Sequence, residues 1–332
     1  MSMTLTPPEQ EALLSIALMA AFADGGKSDL ERAEIKRILE GLPGDDLNAA
    51  SVLQRVLLRQ VTLAGAATPL TRPELRHLAY EMAVCVCEAD DQLNEAEQRF
   101  LAEARGVLRL DDPQVADFQH QADALVQAPL TPVRLAGSPP EQVPSTQPAP
   151  LPPPPVTAAA DPEADRMILH YAILNGALEL LPESLATMAI VPLQMKMVYR
   201  LGKRHGYDLD RRHITELLGA AGVGLTSQVV EGFARKLLGG LLGKVAGGVG
   251  RHAGRQLASS ALSFASTYAL GQMAQRYYAG GRQLSALQLK ELYASLTDQA
   301  RALHQRYRGE IQQRASTIEP RQLLSLVRES PA

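Results

Sequence analysis

The chain has no tryptophan, and only five phenylalanines and nine tyrosines among its 332 residues. Single-stranded nucleic acids bind by stacking bases on aromatic side chains, so this scarcity argues against a nucleic-acid partner. Alternating apolar and polar runs are missing too, which leaves no predicted strand and an all-α fold. There are two cysteines, Cys85 and Cys87, in a helical stretch. Side chains two apart on a helix point to different faces, so these two neither pair nor chelate one metal. Buried free thiols in a reducing cytoplasm are the expectation. The seven histidines show no HxxxH spacing, and neither GxSxG nor GxxxxGK[ST] occurs. An enzyme is therefore not expected, and no small-molecule substrate is evident. The first residues lack the basic stretch and small-residue cleavage site of a secretory signal.

What the chain has in plenty is proline, concentrated in one place. Eleven of residues 129–155 are proline, ending in four consecutive ones. Such a segment lacks the donors and the apolar surface to fold, so it reads as a polyproline-like spacer reaching up to about 80 Å at ~3.1 Å per residue. It divides the chain into residues 1–128, a linker over 129–162, and residues 163–332. The first part carries 21 acidic against 11 basic residues, a net of −10. Residues 161–332 carry 21 basic against 14 acidic, a net of +7. Arg134 and Glu141 cancel in between, so a modest overall charge of −3 hides a strong asymmetry.

In the acidic part, Thr6-Pro7-Pro8-Glu9 reads as a helix start, and apolar positions follow helical spacing to a break at Gly25-Gly26. Further helices are predicted from Ser28, over about 47–63, from Thr71 to Ala89, from Asn94 to about Leu108, and over about 112–127. A short repeat lies within them. Ala23-Asp24-Gly25 is followed by Glu31, and Ala89-Asp90-Asp91 by Glu97, with Asp and Glu seven positions apart each time. Each copy bridges the end of one helix and the start of the next, which suggests a pseudo-twofold pair of acidic corners. Glu31 and Glu97 sit three residues after Ser28 and Asn94, where a carboxylate completes a capping box. The alternative is that Asp24, Glu31, Asp90 and Glu97 supply oxygen ligands to a hard divalent cation. Neither loop is an EF-hand.

The basic part starts a helix at Asp161-Pro162. An apolar stretch over 185–199 is predicted to kink at Pro192, and Asp208 or Asp210 caps a helix ending near Gly219. Gly239, Gly243, Gly247, Gly250 and Gly254 recur at helical spacing, a ridge for close helix packing or a membrane. The longest uncharged run, Gln256–Gln275, is 20 residues and contains eight Ser, Thr or Gln. A buried helix in a bundle suits it better than a membrane span, and the basic excess suits a membrane surface. A long cationic helix from Ser285 to about Arg314 and a short one within 317–328 complete the chain.

Two resemblances bear on function. Met19-Ala20-Ala21-Phe22-Ala23-Asp24-Gly25 with Glu31 and Glu34, and Cys87–Glu97 with Phe100-Leu101, resemble the TerB-like family of tellurite-resistance proteins over about residues 10–110. This resemblance implies an all-helical, non-enzymatic fold with acidic loops for divalent cations, here at Asp24, Glu31, Asp90 and Glu97. The second loop departs from the family, with Asp91 where glycine is usual. Leu181-Pro182, Ile190–Val198, His205-Gly206-Tyr207 and Thr267–Gly271 resemble a helical domain found in some bacterial GTPases and in YcjF-like membrane proteins, over about 168–280. It implies a helical, membrane-associated module. The expectation is a non-enzymatic, Ca-, Mg- or Zn-binding stress-response module, cytoplasmic or peripheral to the inner membrane. The alternative is a structural adaptor for a protein partner such as a GTPase, its acidic loops serving only as helix caps.

Overall fold

The computed structural model describes residues 5–25, 35–36, 49–90, 93–110, 113–130, 161–181, 184–239, 252–319 and 322–329. These residues form helices and turns, with no strand among them, so the protein is all-α. The proline-rich segment beyond residue 130 lies outside the described residues, as do Glu31, Gly243, Gly247 and Gly250.

Helix α1 (Pro7–Ala21) begins where the sequence places it. The Glu9 carboxylate accepts from the Thr6 backbone N–H at 2.7 Å and the Thr6 hydroxyl at 2.9 Å, and prolines fill the first two positions. Nearly every residue from Ala12 to Ala21 is buried, so α1 is apolar all round and central. The predicted helix over 47–63 is in fact two, α2 (Ala49–Leu57) and α3 (Leu63–Ala67). Arg59 takes a left-handed φ of 54° between them, and Thr62 starts α3 by accepting from the Gly65 N–H at 3.1 Å. α4 (Pro73–Cys87) is buried along its C-terminal half and runs into a 3-10 turn at Glu88–Asp90. α5 (Glu95–Leu108) and α6 (Pro113–Val126) complete this part.

Helices α1 and α4 lie side by side and parallel. The Arg72 guanidinium meets Glu9 at 2.9 Å where both helices begin, and the Cys87 thiol lies 4.0 Å from the Ala20 carbonyl where both end. Cys85 points elsewhere, its thiol 3.9 Å from the Ser184 carbonyl. Both thiols are buried and neither forms a disulfide, and they lie on different faces as the spacing requires.

The second part is built on α7 (Pro162–Leu178), α12 (His252–Ala279) and α13 (Ala286–Thr317), with α8 (Ser184–Met188), α9 (Ile190–Arg204), α10 (Arg211–Ala220), α11 (Leu225–Gly239) and α14 (Leu323–Glu329) around them. The stretch predicted to kink at Pro192 breaks three residues earlier, between α8 and α9. Pro192 has no N–H for the Met188 carbonyl and its ring crowds it, so a single helix does not pass through. The long uncharged run forms most of α12. Its polar residues are the internal hydrogen-bond partners of the bundle: Thr267 accepts from Asn175 at 2.9 Å and Gln194 at 3.1 Å, and the Ser260 hydroxyl donates to the Gly176 carbonyl at 2.8 Å. No helix among the described residues is long and apolar enough to cross a membrane.

The two oppositely charged parts pack on each other along α1 and α4 on one side and α8 and α11 on the other. Ser184 donates to Glu81 at 2.9 Å, Gln10 to the Leu237 carbonyl at 3.4 Å, and Arg211 to the Ala128 carbonyl. A continuous set of buried apolar side chains joins them.

Candidate functional site

The first acidic corner is a chain turn at the end of α1. The Gly25 N–H reaches the Phe22 carbonyl at 3.2 Å, and Gly25 takes a left-handed φ of 65° that a Cβ would oppose. Asp24 sits half-buried in this turn. Its sequence partner, Glu31, lies outside the described residues. In the second corner, Asp90 closes the 3-10 turn after α4, and its side chain is outside the described set. Glu97 is buried, and its carboxylate accepts from the Asn94 backbone N–H at 3.0 Å. Asn94 in turn accepts from the N–H groups of Ala96 at 2.9 Å and Glu97 at 3.1 Å. This is a complete capping box, the arrangement that the spacing from Asn94 to Glu97 encodes. Because α1 and α4 run parallel, the turns bearing Asp24 and Asp90 lie at the same end of the pair. Among the described residues no three His, Cys, Asp or Glu side chains converge to hold a metal ion.

Of the predicted glycine ridge, Gly239 ends α11 and Gly254 stands in the first turn of α12, and the other three lie outside the described residues. Close helix approach is visible at glycines the sequence reading did not single out. A Cβ on Gly271 would stand 2.7 Å from Ile168, and one on Gly232 would stand 2.7 Å from Thr187.

One side-chain pair has the outline of a nucleophile and its base. Ser260 Oγ lies 3.4 Å from His304 Nε2. Both residues are buried, the serine proton goes to the Gly176 carbonyl, and His304 Nδ1 has no partner to orient the ring. Burial and the nearby Arg308 lower the His304 pKa, which keeps the ring neutral. The pair is a packing contact around Phe264, whose ring lies 5.6 Å from that of His304.

A cleft of about 630 Å³ opens between α11, α12 and α13, floored by the end of α7 and by α8. Glu179, the residue that follows α7, lines it while being only 1% exposed. Its two oxygens accept from Ser259 at 2.7 Å and from Ser263 at 3.2 Å. Thr187 Oγ1 and Gln228 Nε2, both lining the cleft, are buried and make no hydrogen bond. Lys290 and Arg301 stand at the mouth on α13, where Arg301 reaches Asp298 at 3.5 Å. The absent Cβ of Gly232 lets α11 close on Thr187 and Glu179. Sequence reasoning missed this site. Its legible trace is Glu179 itself, the one Asp, Glu, Lys or Arg between residues 167 and 182, together with serines at 259, 263 and 266, one helical face.

No family model matches the chain, and no curated protein or solved structure matches it either.

Proposed function

We propose that the protein is a non-enzymatic helical adaptor whose acidic corners are structural helix ends rather than ligand sites. The observation that carries this reading is Glu97, buried with its carboxylate engaged by the Asn94 backbone N–H. A carboxylate held in a capping box is already placed by its own helix and needs no ion to explain it. The sealed, misdirected Ser260–His304 contact supports the non-enzymatic part. The partner is a protein, and the resemblance of residues 168–280 to a GTPase-associated domain makes a GTPase the class to try.

A second reading, a divalent-cation module of the TerB-like, stress-response kind, is favoured by the parallel packing of α1 on α4, which brings the Asp24 and Asp90 turns to one end. Membrane-surface association would use the arginines of α13. Calorimetric titration of the full chain with Ca²⁺, Mg²⁺ and Zn²⁺ separates the two readings. The adaptor reading expects no saturable heat, and expects Glu97→Gln to lower stability by ~1 kcal/mol with or without cation. Saturable binding that Asp24→Ala abolishes would replace it with the cation reading.

A further inference from the structure

We propose that the cleft between α11, α12 and α13 binds a small zwitterion, a primary ammonium compound bearing a carboxylate, of which a free amino acid is the simplest example. The proposal is independent of the acidic corners and of the adaptor reading.

The argument starts at the deep end. Glu179 is a carboxylate almost wholly out of water, and none of the ion pairs seen among the described residues involves it; the buried Lys236, one turn beyond Gly232 on α11, donates to the Leu181 carbonyl at 2.8 Å. A buried carboxylate is costly unless hydrogen-bond donors or a countercharge meet it. Two hydroxyl donors are present, one on each oxygen. A carboxylate has about four lone-pair sites, so acceptor capacity remains. The serines add to it: with their protons directed at Glu179, Ser259 and Ser263 have only lone pairs left to offer. Thr187 Oγ1, buried and unpartnered, is a further oxygen on the same cleft. A pocket end made of a carboxylate and hydroxyl lone pairs selects a group with several N–H donors and positive charge, which describes an ammonium.

The remaining walls decide what the ammonium is attached to. Ile190, Val191, Val229 and Leu262 give the cleft apolar sides, and 630 Å³ is the size of an organic ligand's pocket rather than an ion's. Gln228 Nε2 is a buried donor without an acceptor, and at the mouth, where Arg301 is already paired with Asp298 and Glu231 also lines the wall, Lys290 is a further cation. Those groups suit a carbonyl or carboxylate at the ligand's other end. Cation inside and anion outside is the polarity of an amino acid.

The test is a thermal-shift and calorimetric screen of the full chain against free amino acids. N-acetylated amino acids, which lack the cation, and sodium and calcium chloride serve as controls. At least one free amino acid is expected to raise Tm saturably while its N-acetyl form does not. Glu179→Gln, which can still accept from a serine, is expected to weaken that binding at least tenfold with little change in unliganded Tm. Ala294→Phe, on the exposed cleft wall, is expected to block binding without touching Glu179. The proposal is overturned if no amino acid shifts Tm, or if the N-acetyl forms bind equally. It is also overturned if Glu179→Gln binds like wild type, or if only the metal salts stabilise the protein.

Discussion

Lys196 shows what one buried charge does in this fold. It is 1% exposed on α9, and its ammonium donates to the carbonyls of Val327 at 2.7 Å and Arg328 at 2.6 Å. Those carbonyls end α14, where a helix has no donors of its own left and carries the negative end of its dipole. Lys196 therefore anchors the last helix. Burial, with help from Arg200, pushes its pKa down to about 8 from 10.5. Between those two values the unfolded chain binds more protons than the folded one, so this group makes stability rise with pH there and leaves it flat below about 8. Urea unfolding should show wild type gaining ~1–3 kcal/mol on Lys196→Met between pH 7.5 and 10. At pH 7 the same variant should lose amide-exchange protection over residues 323–329. A pH-independent difference between the two proteins would sink the assignment. Glu179 belongs to the same scale. Its chemistry comes from residues some 80 positions away on α12, which is why the sequence alone displays an isolated carboxylate and not a site.

At the scale of elements, what could be read from the sequence was decided by local chemistry. Helix starts with a capping residue and a partner three later, Thr6 with Glu9, Asn94 with Glu97 and Ser285 with Gln288, are legible because both halves of the device are adjacent in sequence. The break between α2 and α3 was not. No glycine or proline marks residues 57–63, and the turn forms by placing Arg59 in a left-handed conformation that propensity does not announce. Helix contacts were equally hidden, since a glycine at a crossing looks like any other in the sequence. Two glycines make the contrast testable. Gly271 faces α7 and α9, where a Cβ would stand 2.7 Å from Ile168 and 3.0 Å from Met197. Gly309, on the exposed face of α13, has nothing within 4 Å of its Cβ position. Gly271→Ala should destabilise by ~1–3 kcal/mol through overpacking, and Gly309→Ala should stabilise by ~0.5–1 kcal/mol through backbone entropy. Chemical denaturation of the two variants must give opposite signs for this account of the packing to stand.

For the whole molecule, the question is how an acidic part and a basic part joined by a proline-rich segment hold together. Charge asymmetry favours their approach, but a contact that excludes water must also satisfy the polar groups it buries. Glu81 is the group on which these demands meet. It lies on α4 against Ser184 of α8, which donates to it at 2.9 Å. Burial raises its pKa, with Ser184 and His77 opposing that rise. The folded protein thus holds a proton on Glu81 to higher pH than the unfolded chain does. The contribution of this group to stability is present below the ordinary carboxylate value of 4.5 and is lost as pH rises through the raised one. Once the pH passes that raised value, the contact contains a charge it would hold better without. Glu81→Gln keeps an oxygen to accept from Ser184 and removes the charge. It should be more stable than wild type at pH 7, and the advantage should shrink as pH is lowered toward 4.5. Limited proteolysis at pH 7 should agree, with slower cleavage between residues 130 and 161 for the variant if that segment is cut when the two parts separate. Equal stability at every pH would mean that the Glu81–Ser184 contact does not hold the parts together, and would leave the apolar faces of α1 and α11 to do so alone.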